Sequence, residues 1–233
     1  MSTPRRVLIA LTSHSRLGDT GRSTGFMVAE AAEPWRVFTK AGYAVDLVSV
    51  AGGEPPHTAY NPDNPDERAF MEDPDISRQL KNTPSAADLV ASGAARTYDA
   101  ILFAGGHGTM WDFPNNPSLA SLARDIYEKG GVVAAVCHGP AALVGLTLSD
   151  GNYLVAGKNV AAFTNSEEQA VGLAEVVPFL LADKLVEQGA RHLPADNFTA
   201  QVVVDERLVT GQNPQSATGV AEAVVKLLEQ PGS

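Results

Sequence analysis

Near-continuous apolar runs recur along the chain at residues 6–12 (RVLIALT), 44–50 (AVDLVSV), 98–104 (YDAILFA) and 131–136 (GVVAAV). Each has the length of a strand, and each is separated from the next by enough chain for a helix. Strands with one wet face alternate apolar and polar residues, and these scarcely do. Both faces are therefore expected to be covered, which predicts an α/β fold: an open, mostly parallel sheet sandwiched by helices.

The segments between the runs fill in this picture. Residues 34–41 read as a helix with Pro34 in its first turn and Gly42 as its C-terminal cap, so Glu30 falls just upstream or in a preceding turn. Residues 118–129 read as a helix and 176–188 as an amphipathic one. VVVDERLVTG (202–211) predicts two short strands around an Asp205-Glu206 turn, and a last helix is expected over about 214–229. Residues 52–74, rich in Pro, Asn and Asp, predict a long surface excursion rather than a linker, because the strand-helix alternation resumes after them.

A chain of 233 residues, 44% hydrophobic, has material for one sizeable core, and a single domain over 1–233 is expected. The formal charge of -10 argues against nucleic acid and anionic membranes as partners. The apolar runs are far shorter than the ~20 residues of a membrane span. MSTPRRVLIALTSHS is too weakly apolar for a signal peptide, and a lone cysteine cannot form an internal disulfide. A cytoplasmic setting is expected.

That cysteine, Cys137, ends the run VVAAV and is followed by His138, Gly139 and Pro140. A strand, a tight turn and an expected helix over AALVGL make the layout of a nucleophile elbow, in which a strained turn pushes the reactive atom out above the sheet. A helix N-terminus behind it would favour a thiolate. His138 is positioned by adjacency to act as a base. Gly105-Gly106-His107-Gly108 follows another strand, so the amides of Gly106 and His138 could form an oxyanion hole, with Gly105 and His107 in the pocket. The five histidines show no paired ligand spacing, and neither a metal nor any other cofactor is expected. Trp35, Trp111 and Phe113 are candidate pocket walls.

GGHGTMWDFP (105–114), AVCHGPAAL (135–143), FTNSEE (163–168) and VTGQNPQS (209–216), in this order, resemble the ThiJ/PfpI superfamily, and within it the branch of heat-shock-protein-31-like chaperones and glutathione-independent glyoxalases (glyoxalase III). The similarity runs from about Val7 to Leu228. It implies a flavodoxin-like, class I glutamine amidotransferase-like fold, with Cys137 as nucleophile, His138 beside it and Glu30, in TGFMVAEAAEPW, as the glutamate on the thiol. The triad acid matches Glu168, or Glu167 if the register shifts by one. An ionised Glu30 would raise the thiol pKa, so Glu30 is expected to be neutral, with a raised pKa, and to donate to the sulfur.

The resemblance further implies a small 2-oxoaldehyde substrate such as methylglyoxal, conversion to a 2-hydroxy acid such as lactate, and a homodimer. A holding chaperone with Cys137 as an oxidation sensor, or a protein deglycase or amide hydrolase using the same site, are the alternatives.

Overall fold

The computed structural model describes residues 4–230, so the first three residues of the N-terminal stretch read above lie outside it. Six strands form the main sheet: β1 (Arg6–Leu11), β3 (Ala44–Ser49), β5 (Ala100–Phe103), β6 (Val132–Val136), β9 (Val202–Asp205) and β10 (Leu208–Gly211). Their order is β3-β1-β5-β6-β10-β9, parallel throughout except for the β9-β10 hairpin at one edge. Two pairs of two-residue strands stand apart, β2 (Phe26–Met27) with β4 (His57–Thr58), and β7 (Asn159–Val160) with β8 (Arg191–His192).

Side chains alternate across a strand, so each run feeds two cores. Leu8, Ala10, Ile101, Phe103, Val133, Ala135 and Leu208 face one side. There they pack on α4 (Ala86–Ala91), the single turn α5 (Thr109–Asp112), α6 (Pro117–Glu128) and α8 (Leu181–Glu187). Val7, Ile9, Leu11, Leu102, Ala134, Val136 and Val209 face the other, against α1 (Val28–Lys40), α2 (Pro65–Glu72), α3 (Pro74–Lys81) and α9 (Ala217–Glu229). Both faces are buried, as the unbroken apolar runs predicted. Among the described residues no helix is long and apolar enough to cross a membrane.

Four local expectations need correction. The first helix starts six residues before Pro34, which lies inside it; Glu30 is accordingly in the first turn of α1 and not upstream of it. Burial of Val28, Ala31, Ala32 and Trp35 on one face outweighs the missing N–H of the proline. Residues 52–74 run along the surface, but they are more ordered than Pro, Asn and Asp suggested: they hold β4 and α2, with Phe70 fully buried. Asn64-Pro65 and Asp73-Pro74, which read as loop, are helix starts. The Asn64 side chain accepts from the N–H groups of Asp66 and Glu67, that of Asp73 from those of Asp75 and Ile76, and Pro65 and Pro74 open α2 and α3.

The amphipathic pattern over 176–188 is helical only from Leu181 to Glu187. AALVGL does not form an α-helix: a five-residue 3₁₀ turn, Gly139–Leu143, stands there instead. Gly145, at a φ of 80°, follows two residues later.

Phe70 packs edge-on against Trp35 of α1, with ring centroids 5.7 Å apart, and so ties α2 to the helix that carries Glu30. Phe70→Ala is expected to lower the unfolding free energy by about 3–5 kcal/mol, the usual cost of emptying a buried aromatic site. Urea denaturation measures this; a loss under about 1 kcal/mol would mean that α2 lies loosely on α1.

Candidate active site

Cys137 directly follows β6 at the carboxyl end of the sheet, with a φ of 61°. This left-handed value is uncommon for a residue with a Cβ and marks a sharp reversal of the chain. Two backbone bonds hold it. The Cys137 N–H donates to the Gly211 carbonyl of β10 at 2.9 Å, and the Phe163 N–H donates to the Cys137 carbonyl at 3.0 Å. The elbow is present, but the support expected from an α-helix N-terminus behind it is not, because only the 3₁₀ turn follows.

The thiol is also not exposed. Cys137 is 3% accessible. Burial pushes its pKa well above the usual thiol range, a charge on Glu30 would push it further, and the amides of His138 and Gly106 oppose the rise. These are the two amides proposed from the sequence as an oxyanion hole, and both reach the sulfur. Gly105, expected beside them, has a different partner: its N–H donates to Glu30 Oε2 at 2.8 Å. A Cβ at Gly105 would lie 2.5 Å from that oxygen and 2.7 Å from the Val136 carbonyl, so only glycine lets the three segments meet.

Glu30 is fully buried. Besides accepting from Gly105, its carboxyl faces the Cys137 thiol closely enough for the two to shift each other's pKa. Its buried Oε1 has no hydrogen-bond partner among the described residues. Desolvation raises its pKa to about 8, against the lowering effect of the bonds with Cys137 and Gly105. A carboxyl neutral at pH 7 has an O–H to give to sulfur, as the sequence argument anticipated.

On the other side of the sulfur, His138 places Nδ1 3.3 Å from Sγ and Nε2 2.7 Å from Glu168 Oε2. Glu168 lies in α7 (Asn165–Ala170). Burial tends to raise the Glu168 pKa, but the hydrogen bonds from His107 and His138 prevail and hold it at about 2. An ionised carboxylate only accepts, so the His138 proton sits on Nε2, leaving Nδ1 free to accept from the thiol. Burial, with the neighbouring His107, lowers the His138 pKa to about 4, so the ring is neutral near pH 7.

Of the two adjacent glutamates, Glu168 is the one that reaches His138. Glu167 turns the opposite way, fully buried. It closes a capping box with Thr164 and accepts from the Phe198 N–H, Gln212 Nε2 and Asn213 Nδ2. This accounts for the QNP stretch: its amides hold the helix that carries Glu168. The Thr164-x-x-Glu167 signature of such a box was readable in the sequence.

Three further features had no sequence signal. His107 Nε2 lies 2.7 Å from Glu168 Oε1, so one carboxylate bridges two imidazoles. Thr109 Oγ1 sits 2.9 and 3.0 Å from the carbonyls of Gly106 and His138, coupling the two turns. Phe163 lies against His138 with centroids 4.4 Å apart. It is a wall of the site that the tryptophans and Phe113 are not. Trp35 and Phe113 belong to the two cores. Trp111 stacks on His14 and lines a cavity of about 400 Å³ that includes neither Cys137 nor the site histidines.

Donor atoms of His107, His138 and Glu168 lie within 4.8 Å of one another, a spacing that a metal ion could use. The two short bonds to Glu168 already engage Nε2 of both rings, and a cation taking the place of those bonds would have to displace both N–H protons. The trio reads as a proton-transfer set rather than as metal ligands.

A family model described as DJ-1/PfpI matches residues 23–227. The chain belongs to the DJ-1/PfpI family. Among curated members, Glyoxalase 3 of Candida albicans is 38% identical over 96% of this chain and 98% of its own. A glutathione-independent glyoxalase of Saccharomyces cerevisiae is 34% identical, covering 97% and 99% of the two chains. The crystal structure of glyoxalase III from Candida albicans superposes with a TM-score of 0.87 at 34% identity, over 96% of this chain and 97% of that one. The mostly parallel sheet flanked by helices is thus the fold of this DJ-1/PfpI member and of its relatives alike.

The raised Glu30 pKa has a consequence for stability. Below the unfolded value of about 4.5 both states are protonated, whereas between about 4.5 and 8 the unfolded chain ionises and the folded one resists. Stability contributed by the neutral carboxyl is therefore full below pH 4.5 and declines until about 8. Relative to Glu30→Gln, the wild type is expected to lose denaturant resistance across that window. A pH-independent difference between the two would mean that Glu30 is already ionised in the folded protein.

Proposed function

We propose that this protein is a glutathione-independent glyoxalase that converts methylglyoxal, or a related 2-oxoaldehyde, to the corresponding 2-hydroxy acid. The observation that carries the reading is the line Glu30, Cys137, His138, Glu168: a sulfur held between a neutral carboxyl and a bare imidazole nitrogen whose other nitrogen is anchored on a carboxylate. The names of the curated relatives support it.

In this mechanism His138 Nδ1 takes the thiol proton as Sγ bonds to the aldehyde carbon. The thiol is neutral at rest, so deprotonation happens in the step itself. Glu168 stabilises the imidazolium that forms, and Glu30 and the two amides stabilise negative charge on the sulfur side. The aldehyde oxygen, now bearing charge, takes up the Gly106 and His138 amides and then a proton. His138 next carries the hydrogen of C1 to C2 through an enediol, giving a lactoyl thioester, and water cleaves the C1–Sγ bond to release lactate and the thiol. C1 is oxidised and C2 reduced within one molecule, so the reaction balances without a cofactor.

The oxidation-sensor alternative calls for an exposed thiol of low pKa. Cys137 is buried and its pKa is raised, which weighs against that reading. A homodimer and a cytoplasmic location complete the proposal. They follow from the family resemblance and the lone cysteine, and the -10 charge speaks against nucleic acid as a partner.

Incubating wild type and Cys137→Ser with methylglyoxal, with neither glutathione nor metal, tests the proposal through aldehyde loss and lactate formation. The wild type is expected to yield one lactate per aldehyde consumed and the variant none. Absence of lactate from the wild type would overturn the glyoxalase reading and favour amide hydrolysis or client holding.

A further inference from the structure

We propose that His107 is a second proton-transfer residue of this site, moving the oxygen-bound proton of the aldehyde adduct while His138 moves the carbon-bound one. The inference rests on the glyoxalase reading above and extends it from one histidine to two.

The chemistry asks for two transfers. The adduct on sulfur carries a hydroxyl on C1 and a carbonyl on C2, and the lactoyl thioester carries the reverse. One hydrogen must pass from C1 to C2 and another from O1 to O2. As the C1–H electrons form the C1–C2 double bond, O2 gains charge and needs a proton; as C2 is then protonated, the C1–O1 carbonyl forms and O1 must lose one. A single imidazole serving both atoms has to discharge each proton before taking the next.

The structure provides a second imidazole on the same carboxylate. Glu168 gives one oxygen to each ring, His138 Nε2 on Oε2 and His107 Nε2 on Oε1, both at 2.7 Å. The ring centroids are 4.1 Å apart. With its Nε2 proton directed at the carboxylate, His107 presents a bare Nδ1, which has no hydrogen-bond partner among the described residues. It is also the more open of the two, 20% accessible where His138 is 1%.

A structural histidine at this position would be expected to use both nitrogens or to be sealed off. In the proposed step, once His138 has taken the C1 hydrogen, His107 Nδ1 accepts the O1 proton of the resulting enediolate and delivers it to O2; His138 then returns its hydrogen to C2 as the C1–O1 carbonyl forms. Nothing is exchanged with an outside oxidant or reductant, and Glu168 balances whichever ring is momentarily cationic.

The test uses methylglyoxal deuterated at C1 with three proteins: wild type, His107→Gln and His107→Ala. A glutamine amide can keep the bond to Glu168 but cannot take a proton, which separates positioning from transfer. Lactate formation by His107→Gln is expected to fall about 10²–10⁴-fold, the range for loss of a positioned acid-base group. Recovered aldehyde should meanwhile continue to lose its C1 deuterium to water, because His138 still works. Added imidazole should restore lactate formation by His107→Ala in a saturable way.

Lactate formation by His107→Gln within threefold of wild type would overturn the proposal, as would equal loss of deuterium washout and lactate, which marks mere positioning. If the wild type itself makes no lactate, the glyoxalase reading fails and this inference falls with it. Should His107→Ala not fold, the glutamine variant decides alone.

Discussion

The left-handed backbone at Cys137 is the constraint around which the site is arranged. Such a conformation for a residue with a side chain costs roughly 1–3 kcal/mol and persists only where its surroundings over-determine it. Here β10 accepts the Cys137 N–H, Phe163 donates to its carbonyl, and Thr109 links the His138 carbonyl to the neighbouring turn. Gly139 follows, where a Cβ would come 2.1 Å from the Phe103 carbonyl. The core on both sides of β6 supplies the rigidity that keeps the reversal sharp. A relaxed turn would swing the sulfur away from Glu30 and from the two amides together.

Two carboxyl groups near that turn meet opposite fates, and environment alone separates them. Glu30 accepts one backbone N–H and faces sulfur in a sealed pocket, so the cost of charging it dominates and its pKa rises to about 8. Glu168 is also poorly accessible, yet two imidazole N–H groups point at it and hold its pKa at about 2. One acid is thereby kept as a donor and the other as an anchor. His138 lies between the sulfur and that anchor, neutral at rest and ready to become cationic where a negative charge already waits. The raised thiol pKa belongs to this logic: the sulfur is protonated at rest, beside a neutral imidazole nitrogen.

Much of this was legible in the residues. The four buried runs, the strand-to-turn position of Cys137, the glycine turn after β5 and the four family motifs all speak through spacing and composition, which are local properties. The helix within residues 52–74 was missed because Asn-Pro and Asp-Pro mark both loops and helix starts, and only the burial of Phe70 decides between them. In place of the helix expected behind Cys137 stands a 3₁₀ turn, whose first residue, Gly139, packs against the Phe103 carbonyl of β5 with no room for a Cβ. The start of α1 was placed late because Pro34 looked like an opening residue, whereas packing on the sheet extends the helix across it.

What the sequence alone determined is the layered fold and the strand-end turn that carries Cys137 and His138, which follow from apolar period and turn chemistry, and, once the family resemblance sets Glu30 at the thiol, the expectation that it be neutral, which follows from the repulsion of like charges. Only the tertiary structure decided that Glu168 and not Glu167 meets His138, that Gly105 serves Glu30, that the thiol is buried, and that His107 shares the carboxylate. Each of these depends on which side chains from distant segments come within a few ångströms of one another. Such meetings are set by how β5, β6, α1 and α7 pack, and no stretch of chain carries that information by itself.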